Sequence, residues 1–128
     1  MSSKSVIDSI SKYEWQIMNQ LWNMGSASAR EVLEALPPKH QRAYTTIQTY
    51  TERLVEKGFL AKHKVGMVNF YQPLVPREKA VQSETKRFVD QVFGGSMSQL
   101  AAYLVGQENI SQEDVTHIKD MLGDQTDD

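Results

Sequence analysis

The chain contains no cysteine. That excludes a disulfide framework, a thiolate metal centre and a cysteine nucleophile, and it agrees with a reducing compartment. No apolar run approaches the roughly 20 residues needed to cross a bilayer. Residues Met1 to Ser11 lack the continuous apolar stretch of a secretion signal. A cytoplasmic protein without membrane insertion is expected. Histidine is scarce, and His40, His63 and His117 have no ligand spacing, so they are expected at the surface rather than around a metal. A phosphate-cradling glycine loop and a Ser-His-Asp pattern are both missing. The carboxylates Glu108, Glu113, Asp114 and Asp120 read as a solvated face. No catalytic residue, metal or cofactor is expected, and an enzyme has no positive support.

What is present is an uneven distribution of charge. The net charge is −2. Residues 1–77 hold ten Lys/Arg against six Asp/Glu, and residues 78–128 hold four against ten. The positive surplus concentrates between Lys39 and Lys64, where Lys39, Arg42, Arg53, Lys57, Lys62 and Lys64 face only Glu52 and Glu56. A basic first half joined to an acidic second half is the pattern of a chain in which only the first half meets a polyanion.

The elements follow from caps and periodicity. Ser11-Lys-Tyr-Glu14 is a capping box, and Trp15, Met18 and Trp22, with Ile17 and Leu21 beside them, make an amphipathic helix that Gly25 ends. A second box, Ser28-Ala-Arg-Glu31, opens a short helix with Val32, Leu33 and Leu36, stopped by Pro37-Pro38. A third helix is predicted from about Tyr44 to Lys57, with Ile47, Tyr50 and Leu54 inward and Gly58 as its terminator. Phe59 to Val65 and Val68 to Pro73 read as strands around Gly66-Met67. Leu60 and the Phe70-Tyr71 pair can pack this hairpin on the helices, while Lys62, His63 and Lys64 stay wet. Pro76 suits a helix start, and a helix is predicted from Arg77 to about Phe93, broken by Gly94-Gly95. Ser96 caps a short helix with Leu100, Leu104 and Val105, closed by Gly106. Ser111 caps a last helix with Val115, Ile118, Met121 and Leu122, closed by Gly123, and Gln125 to Asp128 reads as a frayed acidic tail.

The expected fold class is mainly α with a small β-hairpin: a winged helix-turn-helix domain over 1–75, then a helical dimerisation domain with an acidic tail over 76–128. In a winged helix the third helix enters the major groove and the wing follows the backbone. With Ile47, Tyr50 and Leu54 inward, Thr45, Gln48 and Thr49 point outward as base readers. Gln pairs with adenine, and a Thr methyl packs on the thymine methyl. Arg42, Tyr44, Thr46, Arg53, Lys62 and Lys64 are the expected phosphate contacts. Threonine is a poor helix former, so Thr45, Thr46, Thr49 and Thr51 within seven residues of helix three are unusual for a face that is merely exposed. Residues 78–128 form thin amphipathic helices that cannot cover their own apolar faces. An identical copy is the simplest cover, through Val81, Phe88, Val92, Leu100, Leu104, Ile118 and Leu122. The competing class is a winged-helix adaptor that contacts proteins without sequence-specific DNA binding.

The run Ala43-Tyr-Thr-Thr-Ile-Gln-Thr-Tyr-Thr-Glu-Arg-Leu-Val-Glu-Lys-Gly-Phe-Leu60 resembles the recognition-helix signature of the penicillinase-repressor (BlaI/MecI/CopY) family. Glu14-Trp-Gln-Ile-Met-Asn-Gln-Leu-Trp22 resembles its first helix. Phe70-Tyr-Gln-Pro73 and Phe93-Gly-Gly-Ser-Met-Ser-Gln-Leu100 resemble its wing and first dimerisation helices. The resemblance spans about Ile10 to Leu122. It implies a homodimeric repressor on double-stranded DNA, bound to inverted repeats in promoters of resistance or metal-handling genes. Copper-responsive members carry a C-terminal cysteine hook, which a chain without cysteine excludes. β-Lactam-responsive members are cut at an Asn-Phe bond, where this chain reads Tyr103-Leu104. The sequence names no upstream sensor or protease, no operator and no inducing signal.

Overall fold

Serine starts the first two helices of this chain. In the computed structural model, which describes residues 9–107 and 109–126 and side chains as far as residue 120, helix α1 spans Lys12–Met24 behind Ser11. The Ser11 side chain accepts the Glu14 N–H, and the Glu14 carboxylate accepts the Ser11 N–H at 2.8 Å. The same reciprocal box, Ser28 with Glu31, opens α2 at Ala29–Ala35. Each cap satisfies backbone donors that the helix leaves open, a contribution of about 1 kcal/mol. Pro37-Pro38 ends α2 and leads into a single 3-10 turn, Pro38–His40, that precedes helix α3 at Tyr44–Glu56. Gly58, at φ 89°, turns the chain from α3 toward the sheet, a left-handed conformation that glycine adopts without a Cβ clash.

The hairpin forms where expected, with strands β2 (Leu60–Val65) and β3 (Val68–Pro73) around Gly66 at φ 63°. A strand absent from the sequence reading completes the sheet. The two residues Ala27–Ser28 form β1, and the strand order is β1-β3-β2, antiparallel throughout. Two residues are too few for a period-2 pattern. Pairing with Tyr71 and Phe70 of β3 makes them a strand.

One core joins these elements. Ile17, Met18 and Leu21 of α1, Val32 and Leu36 at α2, Ile47 and Leu54 of α3, then Phe59, Leu60 and Tyr71 at the sheet are all buried. Fully burying such side chains contributes about 1.5–3 kcal/mol apiece. Trp15, Trp22 and Tyr50 pack at its margin, half-buried. The inward stripe of α3 is therefore Ile47, Thr51 and Leu54 at i, i+4, i+7, with Tyr50 at its edge. Thr51 is a buried residue and not part of the exposed threonine face. Its hydroxyl is satisfied inside the helix, donating to the Gln48 carbonyl at 2.9 Å.

Helix α4 (Arg77–Val92) begins after Pro76 and adds Ala80 to the same core. The chain divides into two compact units, Met1–Glu84 and Thr85–Asp128. In the second unit, Phe93 sits 5.9 Å from Phe88 and 6.2 Å from Tyr103, ring centre to ring centre. Helix α5 (Met97–Val105) contributes buried Ala101, and helix α6 (Gln112–Thr126) contributes Val115. The α6 backbone continues past Gly123 to Thr126. An interior glycine costs a helix about 1 kcal/mol relative to alanine but leaves its hydrogen bond in place, so it does not by itself stop one.

Candidate nucleic-acid interface

With Ile47, Thr51 and Leu54 turned inward, the opposite face of α3 carries Thr45, Gln48, Thr49, Glu52, Arg53 and Glu56, which together line one open surface. Thr45, Gln48 and Thr49 are exposed, as the sequence predicts. Their polar groups are already oriented. The Gln48 amide donates to the Tyr44 hydroxyl at 3.3 Å, leaving its carbonyl oxygen and a second N–H for a ligand. The Thr49 hydroxyl donates to the Thr45 carbonyl at 3.0 Å. Thr49 therefore offers outward a methyl group and a lone pair, but no free donor.

Three arginines near this surface are held over tyrosine rings. The guanidinium carbon of Arg42 lies 5.0 Å from the Tyr13 ring centre, that of Arg53 lies 4.9 Å from Tyr50, and that of Arg30 lies 4.4 Å from Tyr44. Tyr13 and Tyr50 meet edge to face at 5.0 Å, so the first two arginines share one aromatic seat. Such stacking contributes about 0.5–1 kcal/mol at exposed sites and leaves the guanidinium N–H fork available for an anion. Arg42 also donates to the Lys39 and Gln41 carbonyls at 3.3 and 3.0 Å. Arg30, at the start of α2, is a further exposed cation of this group and was not among the residues expected here. Its signal in the sequence is a cation directly inside a capping box, on the helix that precedes α3. Thr46 and Tyr44 are half-buried in the first turn of α3, which has Ala43 at its cap and no side-chain cap bond.

On the wing, Lys62 and Lys64 are two residues apart in β2 and share one face, with Lys64 exposed. His63 stacks on Phe70 on the other face, ring centres 5.9 Å apart. Lys62 is engaged by Glu52 of α3, with its ammonium 2.9 and 3.1 Å from the two carboxylate oxygens. The Tyr71 hydroxyl donates to Glu52 at 2.6 Å. That hydrogen bond holds the Glu52 carboxyl below its ordinary range. Partial burial opposes the effect and Lys62 adds to it. Burial first, and then the bond to Glu52, push the Tyr71 hydroxyl up to about 12.

Lys57, the C-cap of α3, fastens the far end of that helix to α1. Its ammonium lies 2.8 Å from the fully buried Glu14 carboxylate and 3.0 Å from the Ser9 carbonyl.

The penicillinase repressor family model matches residues 10–124. The chain belongs to the penicillinase repressor family. Among relatives of this family chain, an uncharacterized 16.5 kDa protein of Latilactobacillus sakei is 32% identical, over 88% of this chain and 77% of that one. The methicillin resistance regulatory protein MecI of Staphylococcus aureus strain N315 is 29% identical, over 88% and 92%. The penicillinase repressor of Staphylococcus aureus is 27% identical, over 97% of each chain. Among solved structures, the DNA-binding domain of the repressor BlaI is 34% identical with a TM-score of 0.51, covering 57% of this chain and 89% of that one. The winged-helix architecture is therefore that of a repressor family. Within this family chain, Phe88, Val92 and Leu104 are exposed, while Val81, Leu100 and Ile118 are half-buried. The Leu122 side chain and Glu108 lie outside the described residues. Among those residues no helix is long and apolar enough to cross a membrane, and no group of three or more His, Asp or Glu could hold a metal ion.

Proposed function

We propose that this chain is a cytoplasmic transcriptional repressor that binds an inverted-repeat operator in double-stranded DNA as a homodimer. The observation that carries the reading is the exposed face of α3, where Thr45, Gln48 and Thr49 stand beside arginines seated on tyrosines. Gln48 reads adenine through its carbonyl oxygen and remaining N–H, and the Thr49 methyl packs on a thymine methyl. Thr45 contacts a neighbouring base edge. Arg42, Arg53 and Lys64 neutralise phosphates, with Tyr44 and Thr46 placed at the same strand by the first turn of α3. Residues 1–75 supply the DNA-binding domain and 76–128 the dimer contact, through Val81, Phe88, Val92, Leu100, Leu104, Ile118 and Leu122. The exposed apolar surface of Phe88, Val92 and Leu104 supports that assignment. A second copy is needed because one winged helix reads too few base pairs to choose among about a million or more competing sites.

The test is selection of duplexes from a random pool by the full-length protein, followed by binding of Gln48→Ala to the enriched sequence. An enriched inverted repeat is expected. Gln48→Ala should lose about 1–3 kcal/mol on it and relax discrimination at one base pair of each half-site. A pool that enriches nothing, or a Gln48→Ala protein with unaltered affinity and base preference, overturns the reading.

A further inference from the structure

A carboxylate in the middle of a face that reads DNA meets a polyanion, so it needs another reason to be there. Glu52 is such a residue. It follows Thr45, Gln48 and Thr49 along α3 and lines the same open surface. Its two oxygens are turned to the wing, accepting the Tyr71 hydroxyl at 2.6 Å and the Lys62 ammonium at 2.9 and 3.1 Å. Lys62 and Tyr71 are direct partners across the β2–β3 ladder. A single helix side chain therefore grips both strands of the wing at one rung. The grip has a firm side and an open side. Tyr71 is 2% exposed and belongs to the core, whereas β2 is an edge strand of the sheet and Lys62 is exposed. Lys64 lies two residues further along the same face of β2, so the rung at Lys62 determines where Lys64 is presented.

We propose that Glu52, Tyr71 and Lys62 form a latch that sets the wing against the recognition helix. Glu52 and Lys62 are then positioning residues for DNA recognition, and Lys62 is not itself a phosphate contact. The inference rests on the DNA-binding reading above and adds to it the residues that fix the angle between its two contact elements. A latch makes an unusual demand on sign. Removing a negative charge from a DNA-facing surface ordinarily tightens binding to every duplex. Removing this one releases the wing and weakens binding to the correct duplex, because Lys64 and α3 no longer meet the backbone and bases together.

The experiment uses full-length protein, the duplex enriched from a random pool, and a scrambled duplex of the same length and composition. Glu52→Gln and Tyr71→Phe are each expected to lower the ratio of selected to scrambled affinity about fivefold or more. The double variant should be no worse than the poorer single one, because both substitutions open the same latch. Tyr71→Phe keeps the ring in the core and changes no charge, so its effect is not an electrostatic one. In the free protein, amide exchange across β2 and β3 should quicken in both variants while that of α3 stays unchanged. Three results overturn the latch: tighter or equal binding of Glu52→Gln to the selected duplex, additive losses in the double variant, or unaltered exchange in the wing. If the wild-type protein enriches no sequence, the DNA-binding reading fails, and the exchange measurement still decides the latch.

Discussion

Replacing Lys57 by methionine tests how α3 is held. Methionine keeps most of the aliphatic stem and removes the ammonium. What remains is the Glu14 carboxylate, with a side chain 0% exposed, where Lys57 itself is 21% exposed. One Glu14 oxygen would keep only the Ser11 N–H, and the other has no hydrogen-bond partner. Breaking a buried ion pair from one side costs about 3–5 kcal/mol, because the surviving charge stays in the core without its counter-ion. Lys57 reaches solvent at one edge, so the lower end applies, about 3 kcal/mol. For a folding unit of this size that lowers the melting temperature by roughly 10–20 °C. Both tryptophans, Trp15 and Trp22, lie in α1, so their fluorescence during urea or thermal unfolding reports on the unit that contains the pair. Adding Glu14→Gln to Lys57→Met removes the stranded charge while keeping an acceptor for the Ser11 N–H, and should recover about half of the loss. A Lys57→Met protein within about 0.5 kcal/mol of wild type refutes the reasoning, as that is the range of an ordinary surface change. So does a double variant no more stable than Lys57→Met alone.

Lys64→Ala should weaken binding to all duplexes alike and reduce the slope of log K against log salt by about one unit. An unchanged slope places Lys64 off the phosphates. Tyr71 holds its proton in the folded state up to about pH 12, where the unfolded chain loses it near 10. Its contribution is therefore intact below pH 10 and is lost as pH rises from about 10 to 12, amounting to about 2–3 kcal/mol. Urea titrations across that range on wild type and Tyr71→Phe isolate it, and identical curves for the two proteins contradict it. Sedimentation of the full-length chain at micromolar concentration should give a dimer. A single monomeric species removes the self-association on which the inverted-repeat reading depends.

The local code of this chain is unusually explicit. Serine and glutamate at three-residue spacing start α1 and α2, Pro37-Pro38 and Gly58 end helices, and Gly66-Met67 turns the hairpin. The order of the helices and of the two hairpin strands, and the outward placement of Thr45, Gln48 and Thr49, follow from those signals and a period of 3.6 residues. These are short-range effects, set by caps, φ preferences and apolar spacing within a few residues. What required the tertiary structure was every feature that depends on a distant partner. Ala27–Ser28 becomes a strand only because β3 lies alongside it. Thr51 is buried because the helix phase against α1 and the sheet places it inward. Glu14, which reads in sequence as half of a capping box, also anchors Lys57, 43 residues away. Lys62 reads as a free cation until Glu52 and Tyr71 are seen to hold it. Charges and hydroxyls reveal their type in a sequence but not their counterpart, and packing decides the counterpart by bringing together atoms that the chain keeps far apart.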